Sequence, residues 1–504
     1  MDARRISSNS ERTVVTAAGL ESAAPGAKIR LFNSLGRQVT DFHPATPGQV
    51  RMYSCGPTVY SDPHLGNMRA YVFSDTLRRM LEWKGFAITQ VVNITDVGHA
   101  VGDGDEGEDK VEVAARAEQR SVREVTDHYT AMFMADMEAL NVLRAHEYPR
   151  ASDYVPKMID FAVKLDAGGH TYQIASGLYF DTTTSPGYGR LALIPQEGQQ
   201  AGKRVSADEK RSPADFAIWR ADPVGQRRIM RWDSPWGPGV PGWHLECSVM
   251  SIDLLGPHFD IHTGGVDHRE LHHVNEIAQS EAFLDDGHDW VRLWMHNEFL
   301  LSGGAKLSKS AGRMPTIRDL AAAGVPPLAF RYFLLTAHYA SQLELTDDGL
   351  EAAVSALRRL RGRAERLPPV PAAATLAGAR GLVSAAGAVK LEQIDAAASE
   401  DLNTPRVLAE VQAALRDPVL PDNDKAVLVA VAGQLLGLRL ADPPEEPAPA
   451  GRVVDEAAVE ELVQAREQAR KARDWAEADR LRDELAVIGV AVADTPEGPR
   501  WSLA

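Results

Sequence analysis

The chain has little sulfur and no long hydrophobic run. Two cysteines in 504 residues, Cys55 and Cys247, exclude a disulfide framework, and in a reducing compartment both thiols are expected to be free or metal-bound. No apolar stretch approaches the ~20 residues that a membrane helix needs. Residues 1–28 lack the apolar core of a signal peptide and are predicted to be a disordered tail. We therefore expect a cytoplasmic protein that does not bind a membrane.

An excess of positive charge is also missing. The formal net charge is −16, which argues against indiscriminate nucleic-acid binding, because attraction to phosphate scales with clustered Lys and Arg. An RNA partner would need a local basic surface. Residues 358–363 and 466–482 are rich in arginine, but from composition alone solvated helix faces explain them equally well.

The apolar pattern predicts a βαβ unit near the start of the chain. Strands over about 50–55 and 86–94 flank a helix over about 67–84, whose apolar residues recur at the three-and-four spacing of a buried face. Such a unit implies a parallel sheet. The residues at its strand ends, here Cys55 and Thr95, would face a crevice where ligands bind.

The rest of the chain predicts an interrupted sheet followed by helices. A mixed segment near 147–210 precedes a short strand at 259–262 and a helix over 271–283, so we expect an insertion to split the sheet. From about residue 316 the pattern is mostly helical. The proline-rich stretch 442–449 is typical of a semi-rigid linker before a small C-terminal domain.

Two short motifs suit phosphate chemistry. His64-Leu65-Gly66-Asn67 lies between the first strand and the first helix, where unpaired N–H groups and the helix dipole favour the phosphates of ATP. Lys306-Leu307-Ser308-Lys309-Ser310 carries two ammonium groups that can meet a pyrophosphate leaving group, and Lys309 is our choice for that role. Each motif alone has an ordinary alternative, a strand-to-helix turn or an exposed basic loop.

Four side chains of the kind that zinc binds are available. His272 and Glu276 are four residues apart on a predicted helix and so share one face, and Cys55 and Cys247 could reach them from neighbouring strand ends. Singly, each has a plain structural explanation, because buried cysteines are common and His-x-x-x-Glu is often only a helical pair.

Together, in this order and separated by a split parallel sheet, the two phosphate motifs resemble the signatures of class I aminoacyl-tRNA synthetases. The wider match is to the cysteinyl-tRNA synthetases, over about residues 29–504, and is carried by Cys55-Gly56-Pro57-Thr58-Val59-Tyr60, Asn93-Ile94-Thr95-Asp96, Pro241-Gly242-Trp243-His244-Leu245-Glu246-Cys247-Ser248 and His272-His273-Val274-Asn275-Glu276. Two positions depart from the signatures. Asn67 replaces a histidine, keeping a donor but no positive charge, and Leu307 replaces a methionine of similar volume.

The resemblance implies an α/β fold in which a Rossmann-like parallel-sheet catalytic domain, split by an insertion, is followed by a helical-bundle domain and a small C-terminal anticodon-binding domain. The expected boundaries are 1–28 for the tail, 29–145 and 216–300 for the halves of the catalytic domain, 146–215 for the insertion, 301–345 for the signature loop and stem-contact region, 346–441 for the tRNA-binding bundle, 442–451 for the linker and 452–504 for the anticodon-binding domain.

The resemblance also implies roles for individual residues. One Zn²⁺ per chain would be held by Cys55, Cys247, His272 and Glu276. The substrate cysteine would contact Cys55, Thr95, Trp243 and His262. ATP would bind to His64, Asn67, Gly264, Gly265, Asp267 and Lys309, and catalysis would depend on His64, Asn67, Lys306 and Lys309. The tRNA contacts would include Arg470, Trp475, Asp479 and Asp494. His268 and His273 match no ligand position and are expected to be structural or solvent-facing.

The implied reaction activates L-cysteine with ATP and Mg²⁺ to cysteinyl-adenylate and pyrophosphate, then transfers cysteine to the 3' end of tRNA(Cys). We expect a monomer. Zinc would select the substrate thiolate, because a pocket that merely fits a side chain separates near-isosteres by only ~1–3 kcal/mol. Two alternatives stay open. One is a ligase that joins activated cysteine to a small amine, as in mycothiol biosynthesis, and the other is a non-catalytic, zinc-stabilised RNA-binding protein.

Overall fold

The structure is a computed structural model that describes most of the chain. The described residues are 26–100, 108–192, 210–223, 225, 228–306, 314–440, 456–471, 474, 477–478, 480–481, 485, 490–495 and 498–503. The predicted linker, Lys309 and all but the last three residues of the predicted N-terminal tail lie outside them.

The secondary structure alternates strands and helices and then becomes helical. The described strands are β1 (Arg30–Asn33), β2 (Gln38–Asp41), β3 (Gln49–Ser54), β4 (Ala87–Val92), β5 (Thr171–Ile174), β6 (Gly177–Phe180), β7 (Phe216–Ala221), β8 (Gly239–Pro241), β9 (Phe259–Gly265), β10 (Val291–Asn297), β11 (Leu300–Ser302), β12 (Ala305–Lys306), β13 (Leu343–Glu344), β14 (Val490–Thr495) and β15 (Gly498–Leu503). The described helices are α1 (Leu65–Trp83), α2 (Lys110–Ala117), α3 (Val122–Ala139), α4 (Ala151–Ala167), α5 (Trp243–Leu255), α6 (Val266–Arg269), α7 (His272–Leu284), α8 (Ile317–Ala322), α9 (Pro327–Leu335), α10 (Asp347–Ala364), α11 (Leu376–Arg380), α12 (Ala385–Ser399), α13 (Thr404–Arg416), α14 (Asp422–Leu436) and α15 (Glu456–Lys471). No helix in the described part of the chain is both long and apolar enough to cross a bilayer.

A four-stranded parallel sheet in the order β10-β9-β3-β4 confirms the predicted α/β core. Ser54, the last residue of β3, lies opposite Val92 of β4 and Thr263 of β9. The carboxyl ends of three strands therefore meet at one edge. Cys55 and Asn93, the residues that follow β3 and β4, are brought together at that edge.

A second, antiparallel sheet in the order β5-β6-β7-β8 interrupts the parallel one between β4 and β9. This is the expected insertion, but the sheet continues past residue 215 because β7 and β8 pair with β6 and not with the parallel strands. Strands β7 and β8 thus lie in the range expected for the second half of the catalytic domain, and the parallel sheet resumes at β9, where the short strand was expected. The domain boundaries stay predictions.

Helix α1 joins the parallel sheet to the helices that follow it. It is buried on almost every side, and its apolar residues, including Phe73, Leu77 and Met80, belong to one core that runs from β3 to α14. A helix that is buried on all faces must satisfy its own polar side chains internally. Asp75 and Arg79 of α1 are such residues, since both are buried.

A buried cluster of Asp75, Arg79 and Arg331 connects α1 with the ends of two other helices. We call it the Asp75 cluster. Arg79 Nε donates to Asp75 Oδ2 at 2.7 Å, and Arg331 Nη2 donates to the same oxygen. Arg331 also donates from Nε to the carbonyl of Leu436 at 2.6 Å and from Nη1 to the carbonyl of Leu140 at 2.9 Å. These carbonyls lie at the C-terminal ends of α14 and α3, where helices leave acceptors unpaired.

The Asp75 carboxyl group at the centre of this cluster favours its ionised form. Burial by itself raises the pKa of Asp75, but Arg331 and Arg79 outweigh it and lower the pKa below the ordinary value. The carboxylate is therefore ionised and paired with two cations. Removing one partner of a buried ionic group is costly because a charge and its hydrogen-bond partners lose their compensation.

We predict that Arg331→Met lowers the free energy of unfolding by about 3–5 kcal/mol, the cost of breaking a buried ion pair. Urea denaturation followed by tryptophan fluorescence would measure the shift of the unfolding midpoint. Arg358→Met is the matched control, because Arg358 is exposed on α10, and its effect should stay within about 0.5 kcal/mol. Equal shifts for the two variants would contradict the assigned role of the Asp75 cluster.

Candidate active site

A cleft of about 550 Å³ opens at the carboxyl edge of the parallel sheet. Its walls come from the loops after β3 and β4, the N-terminal ends of α1 and α5, and the segment from the end of β9 to the start of α7. This is the crevice that the βαβ pattern predicted. Ligands of open parallel sheets bind at such an edge.

Gly56 brings the first two strand ends close together at the floor of this cleft. Its N–H donates to Asn93 Oδ1 at 2.7 Å. A Cβ atom at Gly56 would lie 1.5 Å from the Asn93 carbonyl oxygen, so no other residue fits without moving the backbone. The contact fixes Cys55, whose own N–H donates to the Thr263 carbonyl at 3.1 Å.

His64 and Asn67 close the N-terminus of α1 with a reciprocal capping box. The His64 N–H donates to Asn67 Oδ1 at 3.2 Å, and the Asn67 N–H donates to His64 Nδ1 at 3.3 Å. Nδ1 therefore acts as an acceptor, which assigns the ring proton to Nε2. Both residues line the cleft at this helix N-terminus, and His64 Nε2 and Asn67 Nδ2 are their side-chain donor atoms.

Cys55, Cys247, His272 and Glu276 converge beside the floor of the cleft. One ligand atom from each lies within 4.8 Å of all the others. Cys247 Sγ is 3.5 Å from His272 Nε2, and His272 Nε2 is 2.7 Å from Glu276 Oε1. Glu276 Oε1 is buried and meets no hydrogen-bond geometry within the described structure, so its contact with His272 is an electrostatic one. Two thiols, an imidazole and a carboxylate directed at one point fit a divalent metal such as zinc.

Cys247 reaches this group from a helix, which corrects the prediction that it lies at a strand end. It is the fifth residue of α5, whereas Cys55 directly follows β3 as predicted. Helix α5 begins at Trp243, shortly after β8. Its first turn therefore presents Trp243 and Cys247, four residues apart, to the cleft.

A second donor group overlaps the first. Cys55, His262, His273 and Glu276 also lie within 4.8 Å of one another through their ligand atoms. His273 is fully buried, with Nε2 3.2 Å from Cys55 Sγ, so of the two expectations for it, structural or solvent-facing, the structure leaves the first. His268 is half-buried and lines the cleft.

The electrostatics of the protein groups alone leave two of these donors deprotonated and two protonated. Burial lowers the pKa of His272, but Glu276 outweighs it and raises the pKa to about 10, and burial and the neighbouring Cys55 raise the pKa of Cys247. Burial raises the pKa of Glu276, but the imidazoles of His262, His272 and His273 outweigh it and lower the pKa to about 2. Burial also raises the pKa of the Cys55 thiol, but its hydrogen bond with Cys247 and the nearby His273 bring it well below the ordinary value. Glu276 is therefore ionised, and Cys55 has thiolate character.

A further histidine, absent from the predicted site, orients the metal-facing imidazole. His244 Nδ1 lies 2.9 Å from His272 Nδ1, and both rings are buried. A hydrogen bond at Nδ1 leaves Nε2 of His272 directed at Cys247 and Glu276. His244 precedes Cys247 by three residues, and only knowledge that the segment is helical could have placed it here.

Two of the residues expected to contact the substrate cysteine lie on the cleft wall beside the donor group. Trp243 lies 4.2 Å from His272 between ring centroids. Thr95 Oγ1 donates to Glu246 Oε2 at 2.8 Å and faces the cleft. His262 is fully buried, with Nε2 2.7 Å from Glu276 Oε2. Its predicted contact with substrate stays a prediction.

Five of the six residues expected to bind ATP line the cleft. They are His64, Asn67, Gly264, Gly265 and Asp267. A Cβ atom at Gly264 would lie 2.7 Å from the His273 ring, so glycine keeps this wall open. Lys306 ends β12, while Lys309 lies outside the described residues.

The residues expected to contact RNA belong to the C-terminal part of the chain. Arg470 lies on α15 and Asp494 on β14, which pairs with β15. Trp475 and Asp479 lie outside the described residues. The RNA contacts of all four stay predictions.

Comparison with known proteins agrees with this architecture. Residues 41–355 match the family described as tRNA synthetases class I (C) catalytic domain, and residues 456–501 match the cysteinyl-tRNA ligase anticodon binding domain. The cysteine–tRNA ligase of Novosphingobium aromaticivorans is 47% identical over 492 residues, covering 95% of this chain and 98% of that protein. That of one Thermus thermophilus strain is 41% identical over 490 residues, covering 94% and 99%.

A solved structure supports the fold alone. The LeuRS of Agrobacterium radiobacter, in a ternary complex with tRNA and LeuAMS, has a TM-score of 0.55 and 12% identity, and the match covers 81% of this chain and 87% of that one. The parallel sheet, the cleft at its edge and the catalytic-domain match are those of class I aminoacyl-tRNA synthetases. Within that class, the chain belongs to the cysteine–tRNA ligase family.

We predict that the donor group with Cys247 and His272, and not the one with His262 and His273, holds the metal. His272→Asn should weaken metal binding by more than about 100-fold, beyond the loss typical of an outer partner. His273→Asn, a matched change one residue along α7, should retain the ion. Metal content of the purified variants, measured by atomic emission, checks this. Metal loss in His273→Asn with retention in His272→Asn would reverse the assignment.

Proposed function

We propose that this chain is a cysteine–tRNA ligase that activates L-cysteine with ATP and transfers it to the 3' end of tRNA(Cys). The observation that carries the proposal is the position of the thiol, imidazole and carboxylate donor group. It lies beside a cleft that the N-terminus of α1 also lines, and helix N-termini favour phosphate. Groups suited to an amino-acid thiol and to a nucleotide therefore share one cleft.

The proposed ion is zinc, one per chain, held by Cys55, Cys247, His272 and Glu276. Sulfur, nitrogen and carboxylate donors in a set of four match the preferences of this metal. When bound, zinc would supply a thiophilic centre that favours a substrate thiolate over a hydroxyl. A pocket of the right shape alone would separate cysteine from serine by only ~1–3 kcal/mol.

In the first step the chain positions two anions for reaction. A carboxylate oxygen of cysteine attacks the α-phosphorus of ATP, which arrives with Mg²⁺, and the bond to the pyrophosphate oxygen breaks. His64 Nε2 and Asn67 Nδ2 are proposed to donate hydrogen bonds to the phosphates. Lys306 and Lys309 are proposed to meet the pyrophosphate as its charge develops. Gly264, Gly265 and Asp267 are proposed to contact the adenosine.

The substrate amino acid is proposed to lie against Trp243, Thr95 and His262, next to Cys55. Trp243 and Thr95 support this with their places on the cleft wall. The Thr95 hydroxyl accepts from Asn93 Nδ2 at 3.0 Å and donates to Glu246. Its orientation is therefore set before any substrate binds.

In the second step the terminal ribose hydroxyl of tRNA takes the cysteinyl group and AMP leaves. The match of residues 456–501 to an anticodon-binding domain favours tRNA over a small amine as acceptor. Arg470, Trp475, Asp479 and Asp494 are proposed to contact the anticodon end of the RNA, since arginine and carboxylate can read base edges and aromatic rings can stack on loop bases. We propose that the enzyme works as a monomer in the cytoplasm.

We predict cysteine-dependent ATP–pyrophosphate exchange with serine discriminated by more than about 200-fold, the limit for one pocket contact. Cys247→Ser should lose most of this preference and its zinc while retaining the helical circular dichroism of the native fold. Wild-type enzyme treated with a chelator provides the control and should behave like the variant. Absence of exchange in zinc-loaded wild type would refute the proposed activity. Undiminished selectivity in Cys247→Ser would refute metal-based selection but leave the activity itself standing.

A further inference from the structure

Lys110 places a cation on the cleft wall. Of the described residues that line the cleft, it is the only lysine or arginine. It is the first residue of α2 and is half-buried. Both proposed small-molecule substrates are anionic at the ends that react. A cation at this place can therefore attract both reacting groups.

The ammonium group is positioned by a histidine. Lys110 Nζ lies 2.8 Å from His99 Nε2, and His99 Nδ1 lies 2.6 Å from Thr58 Oγ1. An ammonium group can only donate, so His99 Nε2 is the acceptor and the ring proton is on Nδ1. The Lys110 N–H also donates to the His99 carbonyl at 2.9 Å. Side chain and backbone thus hold the two residues together.

The same histidine places Lys110 on the amino-acid side of the cleft. The His99 ring stacks on Trp243 with centroids 4.2 Å apart and an interplanar angle of 12°. Trp243 in turn lies 4.2 Å from the ring of His272, a member of the metal donor group. Lys110, His99, Trp243 and His272 therefore form a continuous wall that leads to the proposed position of the substrate sulfur.

We infer that Lys110 binds the carboxylate of the substrate cysteine and the α-phosphoryl group as the two join. This rests on the proposed function. During activation an O–P bond forms between the carboxylate and the α-phosphorus, the bond to pyrophosphate breaks, and no proton is transferred. Two anions must approach each other for this, and their repulsion is strong in a partly desolvated cleft. A fixed ammonium group lowers that barrier.

The test compares cysteine with cysteamine, which has the same thiol and amine but no carboxylate. In calorimetric titrations of the zinc-loaded full chain, Lys110→Gln should bind cysteine roughly 10- to 100-fold more weakly, the loss of one charge-assisted hydrogen bond. Its affinity for cysteamine should match that of wild type. In ATP–pyrophosphate exchange, kcat/KM for cysteine should fall about 100-fold. Lys110→Arg, which keeps the charge, should recover part of both losses.

Lys164→Gln is the matched control, because Lys164 lies on α4 with its ammonium over the Phe283 ring at 4.1 Å and does not line the cleft. It should leave all values unchanged. Equal weakening of cysteine and cysteamine by Lys110→Gln would overturn the inference, because a structural defect or metal loss affects both ligands. Undiminished cysteine binding would overturn it as well, while exchange by wild type would still support the proposed function. If Lys110→Gln does not fold, Lys110→Met is put through the same pair of ligands.

Discussion

The site depends on one constraint, the burial of the Glu276 carboxylate. A charge removed from water costs several kcal/mol unless opposite charges and hydrogen bonds surround it. Glu276 is fully buried, and the rings of His262 and His272 each place a nitrogen 2.7 Å from one of its oxygens. Strand β9, helix α7 and, through the thiols, the β3 loop and α5 must all converge to meet that requirement. The same convergence brings both thiols and His272 together with Glu276. The arrangement that stabilises the buried carboxylate therefore also forms the metal donor group.

A second buried charge connects this site to the helical part of the chain. Asp75 and Arg79 of the Asp75 cluster lie on α1, whose N-terminus carries His64 and Asn67 on the cleft wall. Arg331 binds the carbonyls at the ends of α3 and α14 through the same guanidinium that pairs with Asp75. The N-terminal end of α1 therefore has a set position relative to α14.

The sequence predicted those parts of the molecule whose periodicity or spacing is local. The pattern over 67–84 located α1 (Leu65–Trp83), and the spacing of His272 and Glu276 was enough to place both on one helix face. It could not place Cys247, because α5 is buried on nearly every side and carries no polar stripe to reveal a helix. The contact between His273 and Cys55 could not be predicted for a related reason. Cys55 comes from a strand end more than two hundred residues away, and no spacing rule reports a contact of that range.

The departure at Asn67 shows how a signature can change while its geometry is kept. The carboxamide accepts from the His64 N–H through Oδ1, so the capping box is retained, and Nδ2 is the group proposed to donate to phosphate. What is lost is the option of a positive charge, since histidine can be protonated and asparagine cannot. Asp62, Asp267 and Glu298 also line the cleft, which makes its local charge less favourable for ATP and a carboxylate. A cation held at Lys110 would restore part of that balance, at the end of the cleft where the two anions must meet.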